Sequence, residues 1–121
     1  MPVRLKRAFE VPTPEDGRRL LVDRLWPRGR SRAALQLDGW RQDLAPSPDL
    51  RRWFGHDPAR WPGFRARYLE ELSSPAASRA LDELATLAQG GIITLVYAAR
   101  DEQHCGALVL KDEIERRIST R

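Results

Sequence analysis

Asp23, Arg24, Trp26 and Arg28 crowd into a short stretch directly after the apolar run Leu20-Leu21-Val22. A carboxylate there can take a proton or orient a ligand hydroxyl, and a planar guanidinium fork suits phosphate or carboxylate. An indole can stack on a base or sugar. A second polar group, Tyr97, Arg100, Asp101 and His104, follows the apolar run Ile92–Val96. The combination points to a pocket for a small anionic or phosphorylated ligand, with or without catalysis. Arg24, Arg28 and Lys6 would hold the anion, with Trp26 beside them. Asp23 and His104 are the candidate catalytic groups, and Tyr97 and Asp101 would complete the polar wall. A histidine in the first turn of the last helix would be kept neutral by the positive helix end, leaving its ring free to act as base or donor.

Each of these residues also has a plain structural reading. Asp23 can pair with Arg24, Arg28 or Lys6 in a buried ion network, which would make the stretch a folding or interaction device. Arg28 can be a solvated loop residue and His104 a surface histidine. Trp26 and Trp40 can be core, as large aromatics often are. Cys105 near a helix start could have a lowered thiol pKa, but with no second cysteine or evident base beside it, inert packing is the expectation. Nitrogen and sulfur ligands are limited to His56, His104 and Cys105, without zinc spacing, so no metal site is expected. No Walker loop, dinucleotide glycine fingerprint or Gly-x-Ser-x-Gly elbow is present, and no cofactor is expected.

The elements that must position these groups can be read along the chain. Val3–Phe9 reads as a strand with Val3, Leu5, Arg7 and Phe9 on one face. Pro12, Pro14 and Gly17 break the chain. That gap is short for a parallel crossover, which leaves a hairpin between the first two strands open. Arg19–Leu25 reads as the central strand, apolar without alternation at Leu20-Leu21-Val22, and ended by Pro27. Within Ser31–Ala45, Leu35, Leu37 and Trp40 fit either a short strand or a helical turn. Ser47-Pro48, Asp57-Pro58 and Ser74-Pro75 each place a cap before a proline that can open a helix. Gly55 and Gly90-Gly91 are the stops. Trp61, Phe64, Tyr68, Leu69 and Leu72 share one helical stripe, and Ala77, Leu81, Leu84, Ala85 and Ala88 another. Ile92–Tyr97 is a β-branched strand, and Asp101 is positioned to cap a last helix bearing Ala107, Leu110, Ile114 and Ile118. The expected fold class is α/β, a single small domain over 1–121 with a mostly parallel sheet covered by helices. Ligands in open α/β sheets sit beyond the carboxyl ends of the strands. If the strands run parallel, the two polar groups share one rim, with Lys6 and Arg7 near it.

Composition narrows the class. At 121 residues, with 41% hydrophobic and 31% charged, the chain supports one core and is not a disordered polymer. No apolar run approaches membrane length. The stretch Met1–Phe9 lacks the apolar core of a secretory leader, and a lone Cys105 fits a reducing compartment, so a cytoplasmic location is expected. Net charge is +4 and the pI about 10.0. Nucleic acid is therefore the rival partner, with arginines on phosphates and Trp26 or Trp40 stacking on a base. All but Lys6 and Lys111 of the 21 basic residues are arginine, scattered among 17 acids rather than clustered.

Asp16-Gly17-Arg18-Arg19-Leu20-Leu21-Val22-Asp23-Arg24-Leu25-Trp26-Pro27-Arg28-Gly29 closely resembles the signature of the YeaO-like proteins of the DUF488 family. Lys6-Arg7, Leu44-Ala45-Pro46-Ser47, Phe64-Arg65-x-x-Tyr68-Leu69-x-x-Leu72 and Leu95-Val96-Tyr97-Ala98-Ala99-Arg100-Asp101 match in the same order, over nearly the whole chain. The resemblance implies a small bacterial cytosolic α/β protein and supplies no established activity. Asp23, Arg24, Trp26, Pro27 and Arg28 are signature positions by that resemblance. Many relatives carry Asn-His where this chain has Cys105-Gly106, so a mechanism needing that amide or imidazole would not carry over.

Overall fold

In the computed structural model, which describes residues 2–121, the alternating N-terminal stretch forms β1 (Val3–Arg7). A 3-10 turn at Pro14–Asp16 leads into β2 (Arg18–Leu21). The stretch that fitted either strand or helical turn contains both: α1 (Arg32–Leu35), capped by the Ser31 hydroxyl on the Ala34 N–H at 3.1 Å, and β3 (Gly39–Trp40). Three helices follow, α2 (Pro48–Phe54), α3 (Trp61–Leu72) and α4 (Pro75–Gly90). Ser47 and Ser74 cap α2 and α4, each with proline at the first helical position. Asp57-Pro58 opens a 3-10 turn, Pro58–Arg60, and α3 begins one residue beyond it. Then come β4 (Ile93–Tyr97) and α5 (Gly106–Ser119).

All strand pairs are parallel, in the order β1-β4-β2-β3. β4 inserts between β1 and β2, with Val3 opposite Ile93 on one side and Arg18 opposite Ile93 on the other. The first two strands are therefore not a hairpin; the short connection crosses over the place that β4 later fills. β2 and β4 are both interior, which explains their lack of apolar alternation. Leu20, Val22, Ile93, Leu95 and Tyr97 face a core built with residues of α2, α3, α4 and α5. Leu21, Val96 and Ala8 face the opposite side, where Leu35 of α1, Leu37 and Trp26 form a thinner cover.

Beside that thinner cover lies an ion network. Asp16 is 3% exposed. Its carboxylate accepts from Lys6 Nζ at 3.0 Å, Arg19 Nη1 at 2.7 Å, the Thr13 hydroxyl at 3.0 Å and the Thr13 N–H at 3.1 Å. Burial pushes this carboxyl up, but the donors outweigh it and hold it at about 2. Gly17 follows with φ +62°, and a Cβ there would lie 2.1 Å from the Ile92 carbonyl oxygen. That oxygen accepts the Arg18 N–H at 3.0 Å where β2 joins β4, so the contact itself requires glycine.

Candidate functional site

β2 ends at Leu21, four residues short of the expected boundary, and the reason lies in Asp23. Val22 N–H still donates to the Val96 carbonyl at 3.0 Å. Two residues on, the Asp23 carboxylate rather than a backbone oxygen accepts the Ala98 N–H, at 2.9 Å. The side chain replaces the ladder and lets the two strands splay. Beyond the splay lies a cleft of about 850 Å³, between the strand ends, α2, α3 and the start of α5.

Asp23, Arg24, Trp26, Arg28, Asp101 and His104 all line this cleft, so the parallel sheet brings the two polar groups to one rim. Burial raises the Asp23 carboxyl above the ordinary range, opposed by the Ala98 N–H and the charge of Arg51. Arg24 Nη2 donates to the Pro46 carbonyl at 3.3 Å, while its buried Nε has no protein partner. The Trp26 indole donates to the Arg30 carbonyl at 2.6 Å and packs edge-on against Trp40, with ring centroids 5.5 Å apart. Trp40 in turn donates to the Asp23 carbonyl at 2.7 Å.

His104 stands before α5 rather than in its first turn, and Cys105 is the N-cap residue. Asp101 is correspondingly not the helix cap. Its Oδ1 accepts the Gln103 N–H, and its Oδ2 lies 2.8 Å from His104 Nδ1. The hydrogen bond from His104 lowers the Asp101 carboxyl. An ionised carboxylate can only accept, so His104 Nδ1 is the donor in this contact. Cys105 is buried, and burial raises its thiol despite the Leu108 and Ala107 N–H groups that favour thiolate.

Two expected rim residues lie elsewhere, for reasons of strand parity. Lys6 sits opposite Val96 in the register, on the thinly covered face, and its ammonium is held by Asp16. Tyr97 is on the helix-covered face, 3% exposed, and burial raises its phenol far above the usual range. The ion network anticipated around Asp23 is built around Asp16 instead. No carboxylate pairs with Arg24, Arg28, Arg51 or Arg100 among the described residues, and Arg52 reaches Asp49. The sequence offered no signal for Arg51, Arg52, Phe54, His56, Phe64 and Tyr68 as cleft residues. Nothing local ties α2 or α3 to the strand ends.

The molecule is thus a small α/β domain whose parallel strands end in an arginine-lined cleft. The chain belongs to the DUF488 family: the model described as "Inactive DUF488-N3 subclade" matches residues 2–121. It is 42% identical over 108 residues to an uncharacterized protein of Mycobacterium tuberculosis, covering 89% of each chain. It is 38% identical over 112 residues to the uncharacterized protein YeaO of Escherichia coli, covering 93% of this chain and 96% of that one. No solved structure matches it. Among the described residues, no helix is long and apolar enough to cross a membrane, and no cluster of three or more His, Cys, Asp or Glu could hold a metal ion.

Proposed function

We propose that the cleft is a binding pocket for a small anionic or phosphorylated ligand. One observation carries this reading: Arg28, Arg51 and Arg100 surround the cleft without a carboxylate partner, and Arg24 joins them with an unsatisfied Nε. Guanidiniums so placed are free to grip phosphate or carboxylate oxygens in pairs. Asp23 would orient the ligand from the side of Ala98, and the Asp101–His104 pair would hold the imidazole with Nε2 turned to the ligand. Lys6, engaged by Asp16, drops out of the ligand set, as does Tyr97. The description of the subclade as inactive favours binding over turnover. So does a buried thiol at Cys105 whose raised pKa keeps it protonated at neutral pH.

Titration calorimetry with inorganic phosphate, methyl phosphate and phenyl phosphate tests the reading. Saturable binding of at least one probe is expected, weakened at least fivefold by Arg51→Gln or Arg28→Gln. No saturable binding of any of them overturns it. The rival reading, a nucleic-acid module, is weakened by Trp26 and Trp40, whose rings pack on each other and whose N–H groups are both engaged. Tight binding of a single-stranded oligonucleotide, falling steeply with salt, would put that reading first. A cytoplasmic location fits the free, buried Cys105.

A further inference from the structure

Arg28, Arg51 and Arg100 are exposed and stand at the rim of the cleft. Its floor has a different chemistry. Val22, Phe54, Phe64 and Tyr68 line it, all nearly inaccessible and fixed by one another. Phe54 and Phe64 stack with centroids 4.4 Å apart, and Phe64 meets Tyr68 at 5.6 Å. The Tyr68 hydroxyl donates to the Leu44 carbonyl, so this tyrosine brings ring carbons to the cleft and no free donor. Pro46 and Pro48 in the wall have no N–H to offer. A bare phosphate bound deep would meet only ring and aliphatic carbons on the four floor side chains, and it would lie beside the Asp23 carboxylate. It would also leave most of about 850 Å³ wet. That volume is of the size that holds organic ligands of roughly 300–1,000 Å³.

Resting on the anion reading above, we infer that the ligand is amphipathic: its anionic head lies among Arg28, Arg51 and Arg100, and an apolar body of aromatic size covers Val22, Phe54, Phe64 and Tyr68. The orientation follows from Asp23. A negative head is repelled from the floor beside that carboxylate and drawn to the unpaired guanidiniums outside it. The apolar body then displaces water that the floor cannot hydrogen-bond.

Phenyl phosphate and methyl phosphate share a head and charge and differ in the body, so their comparison isolates the inference. Even one methylene in an apolar pocket is worth about tenfold or more. Phenyl phosphate is therefore expected to bind at least tenfold more tightly by calorimetry. In methyl NMR spectra its ring current should shift Val22 and Ala107. Arg51→Gln should weaken both probes by a similar factor. Phe54→Leu, with folding checked by circular dichroism, should shrink the preference for phenyl phosphate over methyl phosphate. Equal affinities of the two probes would overturn the inference while the anion reading stands. Tighter phenyl phosphate binding with methyl shifts at Val11 and Ile92, away from the cleft, instead of at the floor would also overturn it. Binding of neither probe overturns the inference, and if inorganic phosphate fails as well the anion reading falls with it. The NMR arm needs no variant, so a misfolded Phe54→Leu leaves the test intact.

Discussion

Asp16→Asn should be among the most damaging polar substitutions in this chain. The carboxylate accepts from Lys6, Arg19 and twice from Thr13 while 3% exposed. A carboxyl held at about 2 instead of 3.8 favours its ionised form in the fold by about 2–3 kcal/mol. Asparagine removes that charge and turns an amide donor toward donors already in place. Arg19 is left buried with one Nη2 unpartnered and no counter-charge. One-sided breaking of a buried pair costs about 3–5 kcal/mol, so a loss near 3 kcal/mol at neutral pH is expected from urea denaturation. The pH dependence has a definite sign. The folded pKa is depressed, so the stabilisation is fully present above the unfolded value near 3.8 and is lost as pH falls toward about 2. The gap between wild type and Asp16→Asn should therefore narrow between about pH 4 and pH 2. A variant within about 1 kcal/mol of wild type at neutral pH, or a gap that stays constant through the acid range, would refute the reasoning.

The cleft residues should behave in the opposite way. Arg28→Gln removes an exposed, unpaired guanidinium and should change stability by less than about 0.5 kcal/mol. Asp23→Asn keeps an oxygen for the Ala98 N–H and removes a carboxyl whose raised pKa makes its ionised form a cost above the unfolded value, so stability near pH 7 should stay the same or rise slightly; a large drop in melting temperature would mean that Asp23 is structural. Gly17→Ala should cost at least about 2 kcal/mol, because the new methyl meets the Ile92 carbonyl at 2.1 Å and the residue holds φ +62°; a wild-type denaturation midpoint would contradict that. The Cys105 thiol should react with a maleimide far more slowly in native protein than in urea, and comparable rates would show an open thiol.

Periodicity and local chemistry determined much of this fold. Interior strands have to be apolar on both faces, so β2 and β4 were legible as runs without alternation. Caps and prolines act within one turn of chain, so the starts of α2 and α4 could be read from Ser47-Pro48 and Ser74-Pro75. Six of the expected site residues reach one cleft because parallel strands bring their carboxyl ends together. Tertiary structure decided the rest. Whether Lys6 and Tyr97 reach the rim depends on which sheet face their register gives them, and that depends on β4 entering between β1 and β2. The partner of Asp16 was undetermined until the sheet placed Lys6 beside it. Arg51, Phe54 and Phe64 join the cleft only because α2 and α3 fold back over the strand ends. A sequence records residue types and short-range order, whereas a cleft is made by surfaces that meet from distant parts of the chain.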